Sequence, residues 1–336
     1  MGKIFFYIIS SVYAISSCCF YSHFANLCKM NKIFKKNLLK NRVAVITGGG
    51  SGIGYSCAEQ FLSLGSRVVI ASRDEKKLLA SIKSLKRSFG DGCNITHAQL
   101  DIRNENNVAK AVESIVNDQD KIDILVNCGG GQFPSPALNM KKKGWDSVID
   151  TNLTGTYNMC KEVLNQSMIQ ENNGVIVNVT AVVTNGFAGM AHTGAARAGV
   201  INLTKSMAIE CAHLGIRINC VSPGIIWSDS AAKNYNDPAL LSANAPIVPF
   251  KRLGTVDEVS SMITFLSSDA ASYISGQNFT VDGCLELAGS LWEVPDHSSQ
   301  KPFQGDPGPI YLHGKSPLST MAQALDRNNR ETKEKK

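Results

Sequence analysis

The residues most clearly arranged for chemistry form the run Gly48-Gly-Gly-Ser51-Gly52-Ile53-Gly54. It follows the β-branched stretch Arg42-Val-Ala-Val-Ile-Thr47 and leads into an amphipathic segment ending at Leu64-Gly65, so the local order is strand, glycine loop, helix. Glycines at such a turn let the backbone bend tightly and approach a pyrophosphate. The free amides and positive dipole end of the new helix then stabilise its charge. A second apolar run, Ser66 to Ser72, completes a βαβ unit, and the residues at its end select the dinucleotide. An acid there would accept hydrogen bonds from the ribose hydroxyls of NAD and repel a 2′-phosphate. This chain has Ser72 and Arg73, a hydroxyl and a guanidinium that suit a phosphate, so the sequence predicts NADP(H) over NAD(H). Asp74, next in line, argues the other way.

Holding these residues in place takes a sheet. Further strands are predicted at His97 to Asp101, Ile122 to Cys128, Gly174 to Val179 and Ile216 to Val221, each separated by a helical pattern. That rhythm defines the fold class as α/β, a Rossmann-type doubly wound parallel sheet in a single domain with extensions at both ends. Ligands of such sheets bind at the carboxyl ends of the strands. The rule gathers Asp101-Ile102, Asn127-Cys-Gly129-Gly130, Thr180 and Pro223-Gly224 around one crevice with the glycine loop. The segment Trp227 to Pro249, rich in Ala, Asn, Pro and Ser, reads as a loop that covers a substrate.

Composition limits what else the chain could be. Its 336 residues suit one large domain with tails. The expected division is an apolar segment 1–29, a basic lead 30–41, the nucleotide-binding domain 42–289 and a tail 290–336. The net charge of +6 is supplied by Lys29, Lys32, Lys35, Lys36, Lys40 and Arg42, which leaves the body near neutral and without a basic face for nucleic acid. The 10 cysteines show neither Cys-x-x-Cys pairs nor zinc-ligand spacing, so they read as small core residues and no metal site is expected. Residues 4–28 contain no Lys, Arg, Asp or Glu and are long enough to span a bilayer. Three readings stay open for them: a membrane anchor with the body facing the cytosol, a signal peptide, or an extension upstream of a start at Met30. The tail from Pro295 is punctuated by Pro and Gly and becomes strongly polar. Asn-x-Ser/Thr matches at Asn94, Asn152, Asn165, Asn178, Asn202 and Asn278 read as chance, since several fall where the fold needs core residues.

With Thr47-Gly-x-x-x-Gly52-x-Gly54, Asn127-Cys-Gly-Gly, Asn152 and Pro223-Gly224 in order, the chain resembles the short-chain dehydrogenase/reductase family over Arg42 to Gly289. Gly129-Gly-Gly-Gln-Phe133, Thr151-Asn-Leu-Thr-Gly-Thr156, Gly194-Ala-Ala-Arg-Ala-Gly-Val200, Arg217-Ile-Asn-Cys220 and Glu293-Val-Pro-Asp-His297 make it similar to the peroxisomal trans-2-enoyl-CoA reductases within that family. The resemblance implies NADPH-dependent reduction of a trans-2-enoyl-CoA to the saturated acyl-CoA in fatty-acid elongation. It implies peroxisomal residence too, although the terminal Lys-Glu-Lys-Lys is not a Ser-Lys-Leu-type address. A cytoplasmic location is the alternative, and a homo-oligomer is the expected assembly. By the same resemblance Gly48, Ser51, Gly52, Ile53 and Gly54 hold the pyrophosphate, Ser72 and Arg73 the 2′-phosphate, and Asp101 with Ile102 the adenine. Asn127 and Gly129 line the ribose side, and Pro223-Gly224 closes the crevice. Met140-Lys-Lys-Lys-Gly144 reads first as a solvated helix face and second as a contact for coenzyme A phosphates.

Most members of the family carry a Ser, Tyr and Lys, in which the cation lowers the phenol pKa for proton transfer. Here Ala181 stands where the Ser is expected, Thr193 replaces the Tyr and Arg197 the Lys. The enoyl reductases resembled carry a Tyr-Asn-Leu-Thr-Lys run one turn later, which in this chain is Ile201-Asn-Leu-Thr-Lys205. The remaining candidate donors are Asn152, His192, Thr193, Arg197 and Lys205. Two readings follow. Either enoyl reduction proceeds with these donors at the enolate oxygen, or the chain is a catalytically impaired NADP-binding homologue. A 3-oxoacyl or other carbonyl reductase is the third.

Overall fold

The computed structural model describes residues 33–228, 243–288 and 302–305. The apolar segment 1–29, the middle of the expected covering loop and most of the tail lie outside the described residues.

Strands β1 (Val43–Thr47), β2 (Arg67–Ser72), β3 (Ile95–Gln99), β4 (Ile124–Asn127), β5 (Gly174–Val179) and β6 (Ile216–Pro223) form one sheet with a seventh strand, Asn278–Val281. The order is β3-β2-β1-β4-β5-β6 followed by that last strand, every pairing parallel. Chain reversal between β1 and β4 opens the crevice beside the glycine loop, as doubly wound sheets require. β1, β4 and β5 are buried along their whole length, which is why they read as unbroken apolar runs with no alternation. A further short parallel pair, Ile226–Trp227 with Gly254–Thr255, lies outside the main sheet.

Helices cover both faces. On one side α1 (Gly52–Ser63), α2 (Glu75–Phe89) and a late helix, Val256–Ser267, bury Phe61, Leu78, Leu85, Val259 and Ile263 against Ala44, Ile46, Ile124 and Val126. On the other, α3 (Glu105–Gln119), α5 (Gly155–Val163) and α6 (Ala191–Cys211) pack Val108, Val112, Met159 and Ala208 against Val45, Leu125 and Ile176. Successive strand residues therefore alternate between two cores. Three helix starts are closed by side chains: Asp74 accepts from Lys77 N at 3.0 Å, Asn104 from Asn107 N at 3.0 Å, and Thr255 with Glu258 forms a capping box. α1 differs. Ser51 at its N-cap makes no side-chain hydrogen bond and its first turn holds no acid, so the amides there stay open.

The helix α4 (Lys142–Ile149) runs into α5 through Asp150–Thr154, a π-helical turn that carries Asn152. Such wide turns mark places where a side chain is re-aimed. Two sequence expectations shift. β3 runs from Ile95, opposite Val68, to Gln99, opposite Ser72, and so starts and ends two residues before the sequence reading. Strand Asn278–Val281 was missed, since its short half-buried run carries little apolar signal and forms only where β6 presents an edge. Residues 302–305 return to the start of helix Val256–Ser267, where Phe303 N donates to Glu258 Oε1 at 3.3 Å. Among the described residues, no helix is long and apolar enough to cross a membrane.

Candidate active site

The glycine loop is built by close approach. Gly48 and Gly52 have φ of +68° and +55°, where an L side chain is strained. A Cβ on Gly54 would lie 2.5 Å from Gly48 O, and one on Gly48 would lie 2.9 Å from Cys128 O. Thr47 Oγ1 accepts from Gly129 N at 2.9 Å and so ties the loop after β1 to the loop after β4. Ile53 is half-buried against the core beneath. The result is a cradle of backbone at the open N-terminus of α1, a shape and polarity that fit a dinucleotide pyrophosphate.

At the end of β2, Ser72 donates to Asp74 O at 3.3 Å, and Arg73 is exposed without an ion-pair partner among the described residues. Asp74 turns its carboxylate to the Lys77 amide as the α2 cap, away from the role of a ribose acceptor. Arg73, Asp74, Glu75, Lys76 and Gln99 line an open hollow there. The Lys77 stem lies over Gly50, at 3.3 Å from where its Cβ would be, which puts a second cation over the loop. Asp101 is gripped by Arg103, with Nε at 2.9 Å from Oδ1 and Nη2 at 2.5 Å from Oδ2. Those hydrogen bonds hold its carboxyl below the usual range. Ile102 packs its side chain on Gly129 and Gly155, and its carbonyl accepts from Asn158 Nδ2 at 2.9 Å.

Asn127 points its amide into the core, donating to Asn178 Oδ1 at 2.9 Å and to Cys160 Sγ at 3.3 Å. Only its backbone borders the crevice. Pro223 O accepts from Val182 N at 3.2 Å, and Gly224 is held so closely that a Cβ would lie 2.8 Å from Asp282 Cα.

The reacting end centres on α6. Arg197 is 8% exposed and donates from Nη1 to Val179 O at 3.0 Å, with no carboxylate beside it among the described residues. A Cβ on Gly130 would collide with its Nη2, so the glycine makes room for the guanidinium at the mouth of the loop after β4. Burial pushes its pKa down to about 10, which still leaves it charged at neutral pH. His192, at the start of α6, is fully buried. Its Nδ1 accepts from Thr193 N at 2.8 Å, which assigns the neutral ring's proton to Nε2, and Nε2 has no partner. The ring stands edge-on to Phe133, centroids 4.6 Å apart. Thr193 is buried with its hydroxyl 3.4 Å from the same Nδ1. Asn152 uses its whole amide on Gly131, accepting from N and donating to O at 2.9 Å each. It holds the loop's shape.

Lys205 is not brought to this cluster. It is exposed, and Ile201 is half-buried, while Thr193, Arg197, Val200, Thr204 and Ala208 form the buried stripe. A step of four residues rotates about 40° on a helix of 3.6 residues per turn. Two steps therefore carry position 205 off the face that Arg197 occupies. The Lys141 to Lys143 run is exposed too, with Lys142 paired to Asp146 at 2.6 Å. Phe133, Thr47 and Lys77 were not singled out from sequence as site residues. Only Lys77, three residues after a capping Asp, carried a readable signal.

A parallel sheet in this order, with a glycine cradle at its crevice, is the frame of a nucleotide-dependent oxidoreductase. The chain belongs to the short-chain dehydrogenase/reductase family: the family described as Enoyl-(Acyl carrier protein) reductase matches residues 48–285. The chain is 35% identical over 253 residues to the peroxisomal 2,4-dienoyl-CoA reductase [(3E)-enoyl-CoA-producing] of Pongo abelii, covering 75% of this chain and 86% of that one. It is 34% identical to the 3-oxoacyl-[acyl-carrier-protein] reductase FabG of Chlamydia trachomatis over 247 residues, covering 73% and 98%. Among solved structures, the citronellol catabolism dehydrogenase AtuB of Pseudomonas aeruginosa PAO1 superposes with a TM-score of 0.67 at 36% identity, covering 76% and 98%.

Proposed function

We propose that this chain uses NADPH to reduce the conjugated carbon–carbon double bond of an enoyl-CoA thioester, with a trans-2-enoyl-CoA of fatty-acid elongation as the substrate class. The observation that carries the reading is a buried, charged Arg197 with no counter-ion among the described residues, beside positions 181, 193 and 201 that hold no phenol or serine. The cradle around Gly48, Ser51, Gly52 and Gly54 would hold the pyrophosphate, and Ser72 and Arg73 the 2′-phosphate, with Lys77 adding charge. Asp101, Ile102, Asn127, Gly129, Pro223 and Gly224 border the remaining length of the crevice.

Bound there, the nicotinamide would supply a hydride, which adds to the β-carbon of the thioester. Negative charge would then move to the thioester oxygen as an enolate, and Arg197 would stabilise that charge. His192 Nε2–H, buried and without a partner, would be a second donor for the same oxygen. Asn152 positions the Gly129–Gly131 backbone, and Thr193 orients His192. Water protonates the α-carbon and the carbonyl re-forms, so neither step needs a tyrosine. A carbonyl substrate is served less well, since an alkoxide must take its proton from a nearby acid. The compartment named for the dienoyl-CoA reductase relatives is compatible with this substrate class.

The test is NADPH consumption with trans-2-enoyl, 2,4-dienoyl and 3-oxoacyl thioesters side by side. Turnover of the enoyl or dienoyl substrates with a solvent deuterium isotope effect is expected. Faster turnover of the 3-oxoacyl substrate would assign a carbonyl reductase. Normal NADPH binding with no turnover of any thioester would assign an impaired binding homologue.

A further inference from the structure

Two cysteines that the proposed reaction does not use meet beneath the glycine loop. Strand β4 sends Ile124 and Val126 toward α1 and Leu125 toward α5, and Cys128 follows at the strand's exit. Cys57 lies on α1 one turn after Gly54, fully buried on that same side. Cys128 packs against the core cluster to which Cys57 belongs. The two side chains are in hydrogen-bond contact, which with burial raises the Cys57 pKa. Cys128 is only half-buried, and its carbonyl is where a Cβ on Gly48 would collide. Arg197 is close enough to feel the charge of an ionised Cys128. Both thiols are free.

We infer that Cys57 and Cys128 form a peroxide-oxidisable dithiol whose closure disables the cofactor cradle. Cys128, reachable from the crevice and near a cation, is the attacking sulfur. Cys57 keeps its proton, because burial and its hydrogen bond to Cys128 raise its pKa well above that of an ordinary thiol. The Cys128 thiolate attacks one oxygen of hydrogen peroxide. The O–O bond breaks, hydroxide leaves and takes up a proton as water, and Cys128 becomes a sulfenic acid. Cys57 sulfur then displaces the sulfenic hydroxyl, its proton leaving with that hydroxyl as a second water. Two thiols and one peroxide thus give one disulfide and two waters.

Bringing the sulfurs from hydrogen-bond contact to a bond of about 2.05 Å must pull the 128–130 backbone toward α1. That backbone already abuts Gly48, and its Gly129 amide is bonded to Thr47, so the movement distorts the cradle. This consequence rests on the reading that the dinucleotide lies in that cradle; the bond itself does not.

The experiment treats the full chain with hydrogen peroxide, then maps peptides by mass spectrometry without reduction and titrates NADPH. A linked Cys57–Cys128 peptide is expected, with NADPH binding weakened at least about tenfold and restored by dithiothreitol. Saturating NADPH should slow the linkage. Cys57→Ala should bind NADPH as the reduced parent does and give a dimedone-trapped sulfenic acid at Cys128; Cys57→Val serves if the smaller residue leaves the helix loose. The inference is overturned if exposed Cys284 oxidises while Cys57 and Cys128 remain unlinked, or if the linked protein binds NADPH as before. Linkage is read whether or not NADPH binds the reduced protein, so failure of the cofactor reading is seen separately.

Discussion

Replacing Arg197 by Met removes a buried charge while keeping much of the side-chain volume, and its two effects should have opposite signs. Lowering a guanidinium from 12.5 to about 10 costs the folded chain on the order of 3 kcal/mol, at about 1.4 kcal/mol for each tenfold change in proton affinity. Against that stands one hydrogen bond, Nη1 to Val179 O at 3.0 Å, worth about 1 kcal/mol. Arg197→Met should therefore stabilise the cofactor-free protein by about 2 kcal/mol, or roughly 4–8 °C in Tm for a domain of this size. The pH dependence follows from the sign. The parent is penalised while Arg197 is charged, so its deficit is constant below pH about 10 and narrows as the group loses its proton above that. Activity should move the other way. Loss of a donor aimed at developing charge lowers kcat by roughly 10²–10³-fold. Thermal melts without cofactor, run beside NADPH consumption with a trans-2-enoyl thioester, read both effects. A variant that is less stable than the parent and turns over normally would refute the reasoning and make Arg197 a strut between α6 and β5.

The other expectations are narrower. Arg73→Ala should weaken NADPH binding by about 1–3 kcal/mol and leave NADH nearly untouched; equal losses for both cofactors in titration calorimetry would count against the 2′-phosphate assignment. Gly54→Ala places a Cβ 2.5 Å from Gly48 O, so the loop must shift, with a loss of about 1–3 kcal/mol in stability and weakened NADPH binding measurable by fluorescence. Ile201→Tyr rebuilds Tyr-x-x-x-Lys with Lys205, but Ile201 sits about 40° and the exposed Lys205 about 80° round the helix from Arg197, so no gain in rate is expected, and a rise would show that this pair does reach substrate.

Local patterns carried the parts of this protein whose physics is local. The glycine loop could be read from a strand, a turn and a helix in succession, because positive φ and close backbone approach constrain residue type wherever they occur. The doubly wound order followed from strands buried on both faces, which leave continuous apolar runs at β1, β4 and β5. The last strand was not legible. Asn278–Val281 has no unbroken apolar run and takes its conformation from the β6 edge it pairs with.

The reacting end divides along the same line. Residue types alone determined that phenol and serine are missing from the expected positions and that His192, Thr193, Arg197 and Lys205 are the candidate donors left on that helix. Which of them act together was decided by tertiary packing. Arg197 and Lys205 look equivalent in a four-residue repeat, yet one lies under the loop after β4 and the other in solvent, because a helix repeats every 3.6 residues and the sheet covers only one of its faces. The same packing seals His192 under Phe133, a residue about 60 positions earlier, and leaves its Nε2 without a partner. Whether a polar group is satisfied depends on every atom around it, and those neighbours come from chain segments that no sequence spacing connects.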